Sequence, residues 1–197
     1  MQRDLARLVA FSDGVMAVAI TLLVLNIETP DVSDEELGSA LVDLLPSLAA
    51  YALAFALVGR FWVVHHNLFE TFVGFDGRLM TLNLAFLMLI ALLPFATDLL
   101  DGYSSEPLAA AVFGTILALA ALVDWVMTAY ALRAGHVNES RRKDTAPFGS
   151  PVALGFTLVF FLSVPVAFLS VPLAWALWLS TIVLRYPLRR VADWLSR

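Results

Sequence analysis

Apolar runs of roughly 20 residues alternate with short charged or proline-containing stretches along the whole chain, and that is the length a helix needs to cross the hydrocarbon core of a bilayer. The first run extends from Leu8 to Ile27, interrupted only by Ser12, Asp13, Thr21 and Asn26. The segment ETPDVSDEEL (28–37) ends it at Pro30 and offers Ser33 or Asp34 as a cap for the next helix. A second run, from about Ser39 to Val64, carries Pro46, which is expected to kink it. The third covers Leu79 to Leu100 with Pro94 near its end. The fourth opens at Pro107, a residue suited to a first helical turn, and reaches about Leu132. A polar loop, RAGHVNESRRKD, follows. The fifth spans Val152 to about Leu169, and Pro172 opens a sixth from Leu173 to Leu184, short unless it continues through Tyr186 and Pro187. The pattern predicts an all-α, polytopic membrane protein with six transmembrane helices in a single domain, residues 1–197.

Composition points the same way. A chain that is 60% hydrophobic has too little polar surface to cover a water-soluble globule, and its charged residues, 15% of the total, fall between the apolar runs. There is no cysteine, so disulfides and thiolate sites are excluded. No glycine-rich phosphate loop is present, and a net charge of −5 gives no reason to expect a nucleic-acid partner.

The basic residues set the orientation, because cytoplasmic loops retain Lys and Arg. Arg3 and Arg7 precede the first run, and Arg60 and Arg78 flank the junction of the second and third. Arg133, Arg141, Arg142 and Lys143 lie between the fourth and fifth, and Arg185, Arg189, Arg190 and Arg197 follow the sixth. All 12 basic residues thus fall on one side, whereas Glu28, Asp31, Asp34, Glu35, Glu36, Asp98, Asp101 and Glu106 fall on the other. An even number of spans with both termini cytoplasmic satisfies this distribution. The first run contains Asp13 and ends in acidic residues without a small-residue cleavage site, so it is expected to be a retained helix and not a signal peptide.

Polar groups inside a membrane helix are costly unless they face protein or water. Ser12 and Asp13 lie early in the first run; Trp62, His65, His66 and Asn67 lie at the end of the second; Asp43 and Asp124 lie in the second and fourth. Equal depth predicts that the first two groups hydrogen-bond to one another and fix helix packing. A proton relay through Asp13 and the histidines is the sharper alternative. His66 and Glu70 share a face at i,i+4, but two ligands without a third do not make a metal site. Asp43 is expected to be solvated and Asp124, beside Trp125, to reach a partner in another subunit. The acidic loops form a solvated rim that would also concentrate cations at a pore mouth.

The stretch RLVAFSDGVMAVAITLLVLNIETP (7–30), with its R-x-x-x-F-S-D core at Arg7, Phe11, Ser12 and Asp13, resembles the first-helix signature of the bacterial relatives of lysosomal transmembrane protein 175. FWVVHHNLF (61–69) is similar to the Trp and His motif that this family places after its second helix, and LPF (93–95) also matches. The resemblance implies a potassium-permeable cation channel of the bacterial cell membrane, with six helices per chain and no carbonyl filter, and no TVGYG-like segment occurs here. It implies a homotetramer around four copies of the first helix, needing no cofactor and passing K+. It also assigns Arg7, Phe11, Ser12, Asp13, Trp62, His65, His66 and Asn67 to a packing network and not to catalysis.

For the pore itself, helical periodicity offers two neighbouring faces, Val18, Leu22, Leu25 and Ala17, Thr21, Val24, and cannot choose between them. The resemblance places the constriction at Val18, Leu22 and Leu25. Val18 stands where an Ile is common, which would widen the first ring. Thr21 offers ions an oxygen, unless its hydroxyl bonds back to the Ala17 carbonyl. The contrasting classes are a secondary transporter or proton-coupled carrier using Asp13 and His65 or His66, and an intramembrane enzyme. The two halves of the chain carry no second F-S-D or W-x-x-H-H as inverted repeats would, and no nucleophile is paired with a base.

Overall fold

The computed structural model describes residues 2–145, 149 and 151–183. Among them the regular elements are all helices, joined by turns and loops, with one isolated bridge between Phe72 and Val137. Helix α1 (Gln2–Leu22) tightens into a 3-10 turn (Leu23–Asn26). Then come α2 (Leu37–Asp43), α3 (Leu45–Phe69), α4 (Gly77–Ala91), α5 (Leu93–Gly102), α6 (Pro107–Ala134), α7 (Arg142–Thr145), α8 (Pro151–Leu169) and α9 (Val171–Val183). Four stretches are long and apolar enough to cross a membrane: Arg3–Asn26, Leu45–Phe69, Gly77–Gly102 and Pro107–Ala134. Two shorter apolar helices, Thr157–Leu169 and Val171–Ile182, follow.

Several boundaries differ from the sequence expectation, each for a local reason. Pro46 does not kink a continuous helix. It occupies the first turn of α3, where its missing N–H is not needed, and the break from α2 falls at Leu44. Pro94 does the same at the start of α5, so the third run divides at Leu92. Neither Ser33 nor Asp34 caps α2; Glu36 precedes it, and the Glu36 carboxylate turns back to accept from the Ser33 hydroxyl at 2.9 Å. Helix α3 runs on to Phe69, so Arg60 lies inside it, about 13 Å before its end at 1.5 Å per residue, and not at the junction with the next span. The proposed extension through Tyr186 and Pro187, and the basic residues Arg185, Arg189, Arg190 and Arg197, lie outside the described residues.

Helix α6 is the centre of the bundle, contacting α3, α4, α5, α8 and α9. Its buried Ala110, Ala111, Gly114, Ala118 and Ala120 let neighbours approach closely, which is how helices associate where lipid removes the hydrophobic drive between them. A Cβ at Gly114 would come within 2.8 Å of the Ser163 hydroxyl, which accepts from Trp178 Nε1 at 2.8 Å. Phe113 packs edge-on against the same Trp178 at 4.9 Å. This contact ties α6, α8 and α9 together. Leu8, Phe69, Leu79, Met127 and Ala131 form a separate apolar cluster, so the start of α1, the end of α3, the start of α4 and the end of α6 meet at one end of the molecule.

Candidate functional site

Helix α1 has two unlike sides. Leu8, Ser12, Met16, Ala19 and Leu23 are buried against α3, α4 and α5. Ala10, Phe11, Gly14, Ala17, Val18, Thr21, Leu22, Val24 and Leu25 are uncovered. At 100° per residue the uncovered positions from Ala10 to Leu22 span an arc of about 140°, with Gly14, Val18 and Thr21 near its middle, and Val24 and Leu25 continue the open surface in the 3-10 turn, where Leu25 comes one turn after Leu22. Both faces that periodicity offered are therefore open, with Leu25 at 72% exposure and Leu22, nearer the edge, at 41%. The Thr21 hydroxyl lies 3.0 Å from the Ala17 carbonyl and 2.9 Å from that of Val18, bonding back to its own helix. Beside this face, Phe11, Gly14, Val18 and Leu22 join Ala91 in an apolar groove of about 450 Å³.

The buried side carries a directional hydrogen-bond chain. Asn83 on α4 donates Nδ2 to Ser12 Oγ at 2.9 Å, and Ser12 donates to the Leu8 carbonyl at 3.0 Å. With its amide so committed, Asn83 turns its Oδ1 to His65, which must donate Nε2–H across 2.8 Å. The His65 ring is stacked between Phe69 and Phe86, at 4.2 and 5.2 Å. A few residues away, Trp62 Nε1 donates to Asp13 Oδ1 at 2.9 Å. Trp62 stacks on His66 at 5.3 Å, and His66 Nε2 lies 3.4 Å from Glu70. Ser12, Asp13, Trp62, His65 and His66 are thus brought together, whereas Arg7, Phe11 and Asn67 are uncovered in the single subunit. Asn83, the link between Ser12 and His65, is absent from the sequence reading. Its signal was a lone amide in the apolar run from Leu82 to Ala96, which in a membrane helix demands a partner.

Asp43 is exposed at the end of α2. Asp124 is half-buried in the single chain. Its Oδ1 is enclosed within the chain, and the charged group acting on it is Arg60 of α3.

A second polar cluster, also missed in the sequence, joins the loops at the end where α1 begins. Asp76 caps α4 by accepting from the Leu79 N–H at 2.9 Å, and it accepts from the Tyr130 hydroxyl of α6. His136 Nε2 stands 3.4 Å from the same carboxylate without the alignment of a hydrogen bond. Val73 N–H to His136 O and Asn138 N–H to Thr71 O, both 2.8 Å, strap the loops together, and Gly135 turns the chain at φ 76°. The Tyr130 hydroxyl, then the Leu79 N–H, hold the Asp76 carboxyl down at about 2. A depressed pKa contributes stability that is present above the unfolded value, near 3.9, and is lost as pH falls through the folded one. The melting difference between wild type and Asp76→Asn in detergent is therefore expected to be largest above pH ~5 and to shrink toward zero near pH 2. A difference that stays constant across that range would rule out the ionised carboxylate as its source.

Comparison with known proteins accords with this geometry. The sequence model of the family described as endosomal/lysosomal potassium channel TMEM175 matches residues 7–94. A potassium channel of Streptomyces collinus is 38% identical over 177 residues, covering 86% of this chain and 85% of that one. A potassium channel of Chamaesiphon minutus is 40% identical over 128 residues, covering 62% and 63%. The crystal structure of a lysosomal potassium-selective channel TMEM175 homolog from Chamaesiphon minutus superposes with a TM-score of 0.83 at 30% identity, covering 95% of this chain and 98% of that one.

Proposed function

Because the chain belongs to the TMEM175 family of potassium channels, we infer that it passes K+ down its electrochemical gradient through a pore lined by α1. It is a membrane channel and not an enzyme, and K+ is its permeant ion. The observation that carries the pore assignment is the uncovered apolar arc of α1. One such helix cannot enclose a path, so several copies must meet at an axis. Four copies of the chain around that axis would hide the arc, with the groove beside Phe11, Gly14 and Leu22 seating the neighbouring α1.

Val18, Leu22 and Leu25 would then form apolar rings, with Thr21 between them. Such rings gate by dewetting and make an ion shed part of its hydration shell, which costs less for K+ than for the smaller Na+. Ser12, Asp13, Trp62, His65 and His66, on the other side of α1, would hold the pore helix against α3 and α4. A secondary transporter or proton-coupled carrier is not favoured: the Asp13 carboxylate is engaged by Trp62 and the His65 ring by Asn83. Helices α8 and α9 complete six spans in the bacterial plasma membrane, with both termini cytoplasmic.

Reconstitution into vesicles tests the function. A passive, voltage-driven K+ current is expected; saturable coupled exchange, or no flux from well-folded protein, would overturn it. Topology is tested separately with reporters fused after Arg197 and within residues 135–141. Both are expected inside the cell, because the loops at that end carry Arg133, Arg141, Arg142 and Lys143. Activity of either reporter outside contradicts the orientation.

A further inference from the structure

Of the polar residues in the first apolar run, Ser12 and Asp13 are bonded to other helices and Thr21 to its own, which leaves Asn26. It closes the 3-10 turn Leu23–Asn26, after which the backbone becomes extended at Ile27. The half-buried Asn26 donates Nδ2 to the Pro94 carbonyl at 2.9 Å, across 68 residues of sequence, in the first turn of α5. A carbonyl oxygen has two lone pairs, so this bond requires no break in the ladder of α5 itself. At the other end of the same turn Leu23 is fully buried, and the turn packs on α5 and α3. Between these two anchors, Val24 and Leu25 are uncovered.

The tightened turn sets where Leu25 points. Three residues of α-helix rotate a side chain by about 300° and raise it about 4.5 Å, leaving it roughly 60° out of line, whereas three residues of 3-10 helix complete a full turn and raise it about 6 Å. Leu25 therefore stands in line with Leu22 and about 6 Å further along. A 3-10 turn has poorer hydrogen-bond geometry than the α-helix it continues, so its contacts with the rest of the bundle hold it in one shape. Leu23 and Asn26 supply those contacts. On the pore reading of α1, on which this inference rests, we propose that Asn26 is a positioning residue for ion selection: its bond to Pro94 locks the turn and fixes the height and facing of the Leu25 ring. A ring that sorts ions by the hydration water they must shed discriminates only at a held width. The Asn26 amide is engaged by α5, so its effect on ions passes through Leu25.

The test is planar-bilayer recording of the whole channel under a K+/Na+ gradient, with four variants. Asn26→Leu and Asn26→Asp keep the size of asparagine and lose its N–H; Asn26→Gln keeps the amide on a longer arm; Leu25→Asn changes the ring itself. Losing the bond reduces the population of the locked turn by at most roughly fivefold, the worth of one net hydrogen bond. The K+ over Na+ permeability ratio is therefore expected to fall severalfold, up to that factor, in Asn26→Leu and Asn26→Asp, and to stay near wild type in Asn26→Gln. If Asn26→Leu fails to assemble, the Asp and Gln variants decide by the same comparison. A residue that merely braced the fold would lower the yield of assembled channel and leave its reversal potential at the wild-type value. That result, or an Asn26→Gln channel shifted as far as the other two, overturns the proposal. Should Leu25→Asn move the reversal potential while none of the Asn26 variants does, the ring stands and Asn26 does not position it. Should Leu25→Asn be silent as well, the pore reading itself fails and the role of Asn26 falls with it.

Discussion

Leu25→Asn and Leu22→Asn are expected to raise single-channel conductance severalfold and to move the K+/Na+ reversal potential toward zero, with the larger effect at Leu25. Each would replace an apolar ring by a polar one, wetting the constriction and offering amide oxygens that stand in for lost hydration water, which relaxes the preference for the less hydrated ion. The ranking follows from exposure: Leu25, in the 3-10 turn that ends α1, is 72% exposed, while Leu22 is 41% exposed. Leu23→Asn, one residue away, should do something else. Leu23 is fully buried, so the change puts an amide without a partner where a well-packed side chain stood. That is expected to cost roughly 2–4 kcal/mol and to reduce folded protein while leaving the ion preference of the surviving channels unchanged. Planar-bilayer recordings of the three variants decide the matter. Leu22 and Leu25 variants that match wild type in both current and reversal potential would show that this face does not line the pore.

Asn83→Leu is expected to be the most damaging single change in the polar layer. It removes the acceptor of the buried His65 N–H, leaving that ring nitrogen stranded, and takes the Asn83 donor from Ser12, which keeps only its own bond to the Leu8 carbonyl. Each buried polar group left unpaired costs about 1–3 kcal/mol, so the assembled protein should melt well below wild type and elute as a mixture. Asp13→Ala should cost less, because it breaks one bond, to Trp62, which is itself partly exposed. Both variants should harm assembly more than they change ion preference. Melting and size-exclusion profiles in detergent, followed by reversal potentials of whatever assembles, measure this. An Asn83→Leu protein that melts like wild type would remove the chain from His65 to Leu8 as a brace. A well-assembled Asp13→Ala protein with altered selectivity would put that carboxylate in the ion path.

Much of this molecule is decided locally and is therefore legible in one dimension. A membrane helix must satisfy its backbone internally and present apolar side chains for its whole length, so the four long spans stand out as uninterrupted runs. The F-S-D and W-x-x-H-H patches mark α1 and α3 for the same reason: polar residues in hydrocarbon are too costly to be incidental. Some of the places where expectation and structure part are those that depend on distant partners. Pro46 and Pro94 differ from expectation for a local reason instead, each beginning a new helix in whose first turn its missing N–H is not needed. Arg60 read as a flanking charge because the apolar run before it hides that the helix continues for nine residues more, to Phe69. The Asp76, Tyr130 and His136 cluster joins two loops, with 54 residues between Asp76 and the tyrosine. Asn83 meets Ser12 across 71 residues of sequence. The sequence by itself determined the spans, the apolar character of α1 and the polar layer near its start, because lipid imposes those requirements residue by residue. Only the tertiary structure decided which side of α1 is covered and which amide completes the chain beneath it, because a hydrogen bond between two helices leaves no periodic trace in either one.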